Sequence, residues 1–538
     1  MKSKMRKAVV WLLTLMMVSG CATGCGKKTG SVSTEETEIN VRVLRVGFGD
    51  EYFNKLKEGF ETLYAKEGYK INIVSSDSTT SSSTVIDELL LGESNGIDLY
   101  ITEGVTVDTL VQSSKDAGID MVAADLSDVY ESKAIRANGK EEDVAIKEKV
   151  EDEYLAAFTY DGSQYMFPVH KIPTGLVVNQ KLLSEYGLEI PKTTDELIHC
   201  FETISAKSES TGVYPHVWAG YNAISYWRFL EDVWFAQYSG VENYNKFLSM
   251  EYSENASEGW KVYEDQGLLE SLRVTETLLD LDYAPAKTIS MDHTTAQHKF
   301  MSGEAAFMVN GAWLQNEMSS DYDVEEFEFE MIGTPVVSAL GKKLGLDGKG
   351  GTDAKKCDAV LSQVVGLVDE NKSTDEIISA VASTNGVTLT AEQVEAVSAA
   401  RGIYFDKSAN ESVIVNAYSK KLDVIKLFLR YMASDDGCQI IFENSLTASA
   451  IAPTEEFNVE NQSTFIRSVN ALSAKDNAHM INRESTGLRY KAGVAFFSST
   501  FEKRIASSRG TLHAEDIVKE ELEYIQKIWP ERVKALTN

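Results

Sequence analysis

Near the start of the chain, strand-like runs alternate with helix-forming runs, and this alternation limits the possible folds more than any other feature. Val41–Gly47 alternates as a strand does, and a helix follows through about Lys66. Ile71–Val74 and Ile97–Ile101 read as further strands, with helices predicted at Thr84–Leu91 and Val105–Ser114. A β-α-β-α-β order implies an α/β fold with a parallel sheet and right-handed crossovers. Ligands of such sheets sit at the carboxyl ends of the strands. Here those ends are Gly47–Tyr52, Ser75–Thr80 and Thr102–Gly104.

The chain has 538 residues, more than one core usually serves, so two or more domains are expected. Lys2, Lys4, Arg6 and Lys7 form a basic start, and Ala8–Val18 is an apolar run of 11 residues. That run is too short to span a bilayer but suits a signal peptide over residues 1–20. It ends in Val18-Ser19-Gly20-Cys21, which looks like a lipobox. Cys21 would then carry the lipid, a better candidate than Cys25. Residues 21–40 are expected to form the anchor and a flexible tether, because Gly26–Asn40 is polar and shows no apolar period.

The formal charge is −30, and without the four basic residues of the signal region the remainder stands at −34. Such a body lacks the basic footprint that binds phosphate backbones, so no nucleic-acid partner is expected. The cysteines show neither zinc spacing nor a compact disulfide pattern. The sequence contains no GxSxG, HExxH, phosphate-binding Gly-Lys-Ser/Thr loop or EF-hand loop. His293 and His298 are five apart and do not share a helix face, so neither a metal nor a cofactor is expected.

In Tyr160–Glu196, a hairpin turn at Asp161-Gly162 leads to the apolar run GLVVN at Gly175–Asn179. A helix over Lys181–Tyr186 ends at Gly187, and Thr193 and Glu196 have capping-box spacing at the start of the next. Gly303–Trp313 contains GEAAFMVNGAW, and Trp218–Gly240 is the most aromatic stretch of the chain. These segments resemble the extracellular solute-binding proteins, the substrate receptors of ABC importers, in their carbohydrate-binding, maltose-binding-like branch (family 1). The resemblance runs from about Val41 to the C-terminus and is looser over Leu340–Tyr404.

The resemblance implies a two-lobed periplasmic-binding-protein-like fold with discontinuous lobes joined by a multi-strand hinge. Lobe 1 would comprise residues 41–170 and about 415–460, and lobe 2 residues 174–412 and about 465–538, with 340–404 as a helical insertion. It also implies a monomer that binds a small solute, a sugar or oligosaccharide, between the lobes and hands it to a membrane permease. The protein would be tethered by its lipid to the outer face of the cell membrane.

Stacking on the ligand is expected from Trp313, Tyr226 and Trp227, with Phe496 or Phe497 also placed where the family sets an aromatic. Sugar C–H faces are apolar and lie flat on rings, while hydroxyls reach polar partners. Asp50, Glu51, Thr102 and Glu103 would meet those hydroxyls, and Asp77 and His170 are weaker candidates. Trp234 reads as core. A lipid-anchored glycan hydrolase is the runner-up, and a sugar-sensing lipoprotein without transport is a third reading. Two regions complete the reading of the chain. Lys133–Glu153 is read as a mobile charged segment, and Asp435-Asp436-Gly437 as the end of the helix Leu422–Ala433.

Overall fold

The alternating segment builds one side of a sheet whose other side comes from distant parts of the chain. In the computed structural model, which describes residues 28–45, 47–322, 328–407, 411–455, 462–483, 485–496 and 501–537, the chain forms two large mixed sheets. Cys21, Cys25, the expected signal segment and Phe497 lie outside the described residues. In chain order the strands of the two sheets begin with β1 (Lys28–Thr29), β2 (Glu38–Leu44), β3 (Lys70–Asp77) and β4 (Leu99–Glu103). They continue with β5 (Phe167–Pro168), β6 (Pro173–Asn179), β7 (Tyr214–Val217) and β8 (Ala305–Gly311). The last are β9 (Phe329–Ile332), β10 (Ile403–Asp406), β11 (Glu411–Val415) and β12 (His479–Ile481).

The first sheet has the order β1-β3-β2-β4-β11-β5. β2 runs parallel to both β3 and β4, as the crossovers require, while β11 returns antiparallel to β4. The helices between these strands are capped locally. The Ser81 hydroxyl accepts from the Thr84 N–H, and that of Thr106 from the Thr109 N–H. The second sheet has the order β7-β8-β6-β10-β12, with β9 also pairing β6. Each sheet has its own apolar core. Phe53, Leu56, Phe60, Leu99 and Phe428 belong to the first, and Val177, Trp234, Phe235 and Val364 to the second. The chain passes from one sheet to the other between β5 and β6, between β10 and β11, and again between β11 and β12. At the junction the cores interpenetrate: Phe48, from the loop after β2, packs in the second core, and Tyr404 and Met480 pack in the first.

The region least like the resembled family is helical. Ala339–Lys343, Ala354–Asp369, Thr374–Asn385 and Ala391–Gly402 precede β10, which begins at Ile403. The capping boxes Ser373/Glu376 and Thr390/Gln393 form as their spacing predicts. Arg401 fastens this group to the second sheet: it donates to Asp369 and to the carbonyls of Gly333 and Thr334.

Three segments depart from the sequence reading. The regular structure begins earlier than the expected tether allows, because Lys28–Thr29 pairs antiparallel with Ser75–Ser76 and Glu38 already opens β2. Asn40 and Asn72 hold Ser31 and Ser33 from the side, contacts that need no apolar period. Lys133–Glu153 is ordered rather than mobile. It contains a short hairpin and buries Lys149 against Glu142, at 2.5 Å, and Asp435, at 3.2 Å. Asp435-Asp436-Gly437 does not end a helix but starts the next one, Asp435–Ser445. The Ser434 hydroxyl accepts the Gly437 N–H, and the two carboxylates sit at the positive end of that helix.

Cys200, Cys357 and Cys438 are free and buried. Among the described residues no helix is long and apolar enough to cross a membrane, and no cluster of His, Cys, Asp and Glu could hold a metal ion.

Candidate functional site

A cavity of about 490 Å³ opens where the ends of the two sheets face each other. The first sheet contributes Gly47, Phe48 and Gly49 after β2, Ser78 after β3, Glu103 at the end of β4, and Glu411 at the start of β11. From the other side come Ile172, Tyr226, Trp313, Asn316, Glu317 and Lys407. Other hollows exist, including one of about 660 Å³ between Leu183, Ile332 and Lys475. That hollow belongs to the second half alone. The 490 Å³ cavity draws on both halves, as does one of about 550 Å³ between Phe158 and Met480, but the 490 Å³ cavity is the one walled by Trp313 and Tyr226.

Trp313 forms the wall. It stands just before the helix Leu314–Met318, and its ring lies back over the end of β8. A Cβ at Gly311 would come within 2.1 Å of that ring, so the glycine of the Asn-Gly-Ala-Trp sequence is there to admit the tryptophan. Tyr226 meets Trp313 edge-on, with ring centroids 5.6 Å apart, and Phe229 supports both rings. Burial, and then Glu317 and Glu103, push the Tyr226 phenol up, so it remains a protonated hydrogen-bond donor. Lys407 lies over the indole at 5.7 Å and pairs with Glu103.

The polar groups are held in place from behind. Gln297 donates to Glu317 at 2.6 Å, while burial raises the Glu317 carboxyl above its ordinary range. His170 is fully buried and donates through Nδ1 to Glu411 at 2.7 Å. The His170 ring rests between Phe48 and Tyr52, at centroid distances of 4.8 and 4.6 Å. Asn316 donates to the Gly47 carbonyl at 2.6 Å, so the two halves touch directly at the cavity.

The expected ligand contacts divide. Trp313, Tyr226 and Glu103 line the cavity together. Trp227 turns inward, 1% exposed, with its ring edge-on to His216. Asp50 takes the Ser76 hydroxyl at the head of the helix Glu51–Leu63, and exposed Glu51 faces Lys55 at 3.7 Å. Thr102 is buried within β4, opposite Ser412. Phe496 packs between the guanidinium groups of Arg483 and Arg489. Burial alone would raise the Asp77 carboxyl, but N–H and hydroxyl donors from Thr79 and Thr80 hold it below the ordinary range, as the staple of a turn. His170 stands behind Glu411 rather than on the cavity surface.

The sequence reading placed Phe48 within the strand end Gly47–Tyr52 but named none of Asn316, Glu317, Lys407 and Glu411. Asn316 and Glu317 follow Trp313 by three and four residues, the spacing that places helix neighbours on one face, so a signal for them existed.

With this geometry in view, the comparisons with known proteins decide the family. Residues 50–437 match the family model described as bacterial extracellular solute-binding protein. The chain belongs to this family. The solute-binding protein is 25% identical over 169 residues to the melibiose/raffinose/stachyose-binding protein MelE of Bacillus subtilis (strain 168), a match covering 29% of this chain and 35% of MelE. It thus spans about a third of the length of that curated relative. Among solved structures it resembles the apo form of RafE from Streptococcus pneumoniae, with a TM-score of 0.57, 14% identity, and coverage of 92% of this chain and 99% of RafE. A chitin oligosaccharide binding protein gives a TM-score of 0.57 at 14% identity, covering 93% of this chain and all of its own. These likenesses establish for the solute-binding protein the two-lobed periplasmic-binding-protein fold, the first sheet in one lobe and the second in the other.

Proposed function

We propose that this solute-binding protein is the extracellular receptor of an ABC importer. It captures a sugar or oligosaccharide between its lobes and delivers it to the permease, as a monomer held to the membrane by a lipid on Cys21. The observation that carries this reading is the cavity itself. An aromatic wall of Trp313 and Tyr226 on one lobe faces the carboxylates Glu103 and Glu411 of the other. A sugar ring offers an apolar face to the wall and hydroxyl donors to the carboxylates, and it meets both only when the lobes come together. The sugar-binding relative MelE supports the same ligand class. Capture and release need no bond chemistry, in keeping with a family of binding proteins.

Calorimetric titration of the full-length, detergent-purified protein with melibiose, raffinose, stachyose and a chitin oligosaccharide tests the reading. At least one sugar is expected to bind at micromolar affinity or tighter and to be recovered unchanged. Trp313→Ala should weaken that binding at least tenfold. A shortened product would point to the hydrolase instead, and no binding to any sugar would remove the carbohydrate assignment. In the producing cells the wild-type protein should sediment with membranes and Cys21→Ala should appear in the medium.

A further inference from the structure

Beneath the cavity lies a group of buried polar atoms that the fold leaves unpaired. Glu411 is 3% exposed, yet it lines the cavity. Its Oε2 is taken by His170 at 2.7 Å, while its Oε1 has no hydrogen-bond partner among the described residues. The Tyr52 hydroxyl, the Thr102 and Ser412 hydroxyls and His170 Nε2 are buried and unpartnered as well. These groups are neighbours. Thr102 pairs with Ser412 and Glu103 with Glu411 across β4 and β11, and Tyr52 meets the His170 ring edge-on at 4.6 Å. Burial, and then the nearby Glu411, raise the Tyr52 phenol far above its ordinary value, which keeps its hydrogen in place. Buried polar groups are almost always satisfied, and Glu411 Oε1, itself covered although its residue lines the cavity, is an acceptor for which the described residues supply no donor.

We propose that Glu411 reads one unsubstituted hydroxyl of the bound sugar, accepting its hydrogen on Oε1, while His170 acts as the positioning residue that fixes the carboxylate. The proposal rests on the sugar-receptor reading above and makes it more specific. An ionised carboxylate only accepts, so the ligand must donate at this point. A sugar carrying fluorine, hydrogen or an ether oxygen at that position cannot. His170 adds rigidity, since its hydrogen bond to Oε2 restrains the carboxylate before the ligand arrives. With Trp313 stacking on the ring and Glu411 gripping one edge, the site recognises the orientation of a ring and not only its apolar face.

The test uses the full-length protein and titrates melibiose, raffinose, stachyose and chitotriose, followed by every positional monodeoxy and monodeoxyfluoro analogue of whichever of these binds. In the wild type, one position should lose roughly tenfold to a hundredfold on deoxygenation, the worth of a hydrogen bond to a charged partner. Fluorine at that position should rescue nothing, because it cannot donate. Glu411→Gln should weaken the parent sugar by a similar factor and remove most of the penalty for that one hydroxyl. Trp313→Ala should weaken all analogues together and keep the penalty.

If a sugar binds and Glu411→Gln leaves both its affinity and the hydroxyl penalties unchanged, the assignment of Glu411 fails while the receptor reading stands. Failure of every sugar to bind overturns both. Should Glu411→Gln not fold, the wild-type fluorine series decides alone, since rescue by fluorine at every sensitive position would overturn a carboxylate acceptor.

Discussion

Two tryptophans from the aromatic-rich parts of the chain show what decides whether a side chain faces a cavity or a core. Trp313 and Trp227 have comparable burial, at 7% and 1% exposure, yet only Trp313 faces the cavity. Trp227 ends a short 3-10 turn, Ile224–Trp227, with its ring against His216 of β7 and its side chain in the second core. Removing a fully buried indole leaves a void that the surroundings fill only partly, so Trp227→Ala should cost about 3–5 kcal/mol of stability. Sugar affinity measured well below the lowered melting temperature should fall far less than in Trp313→Ala, because the Trp227 ring turns to His216 and does not line the cavity. Chemical denaturation followed by calorimetry checks both expectations, and a large loss of affinity in a stable Trp227→Ala protein would place this residue in the site after all. The expected residues that line the cavity share a local origin. Trp313 stood out by its Asn-Gly-x-Trp setting, and Glu103 by ending a strand of the alternating segment. Glu411 and Lys407 were not legible, because Glu411 enters the cavity through the pairing of β11 with β4 and Lys407 through its ion pair with Glu103, contacts across about 300 residues that no local pattern encodes. For Asp50 and Asp77, position at a strand end was read correctly as a place but not as a direction. Asp77 staples its own turn, and Asp50 takes the Ser76 hydroxyl of the neighbouring β3.

At the scale of elements, the helical group 339–402 is held to the second lobe by contacts of unequal quality. Arg401 satisfies several carbonyl and carboxylate oxygens at once, whereas Asp358 does the opposite. Asp358 lies on the helix Ala354–Asp369, and one of its carboxylate oxygens is buried without a partner among the described residues. Burial raises its pKa to about 6, and Asp195 and Glu196, at the start of the helix Thr194–Ser205, push in the same direction against hydrogen bonds from Ser338 and Thr193. The folded protein therefore keeps a proton between the ordinary value of 3.8 and about 6 that the unfolded chain has already released. Stability falls as pH rises through that window, and the loss is complete above it. Asp358→Asn removes the charge and so should raise the melting temperature at pH 7.5, with the two proteins converging near pH 3.5. Scanning calorimetry at both pH values tests this, and a stabilisation of equal size at both would mean that packing and not charge is responsible. The elements were legible wherever capping and period coincide, as at Thr193, Ser373 and Thr390. They were not legible where order comes from distant partners. Lys133–Glu153 looked mobile because its charges dominate the sequence, yet Lys149 finds Glu142 and Asp435 inside the protein.

For the whole molecule, the question is what limits the approach of the lobes. They meet at Gly47, whose carbonyl accepts from Asn316 and whose Cα has no room for a side chain. A Cβ there would lie 2.7 Å from the Trp313 Cβ and 2.9 Å from Glu317 Oε1. Those atoms belong to the helix start that carries the stacking wall, so relief would have to come from moving the lobes apart. A methyl group at residue 47 is therefore expected to hold the lobes apart. Ligand contacts drawn from both lobes exist only when this gap is shut, and a ligand shifts the open–closed equilibrium by the difference in its affinity for the two forms. Gly47→Ala should leave the cores of both lobes intact and keep the melting temperature of the ligand-free protein within a few degrees. Sugar affinity should drop at least tenfold, and the decrease in radius of gyration on adding saturating sugar, followed by small-angle scattering, should shrink or vanish. A variant that binds and compacts like the wild type would show that closure stops short of this contact. One that binds weakly but compacts fully would mean the methyl group disturbs the Trp313 wall without holding the lobes apart.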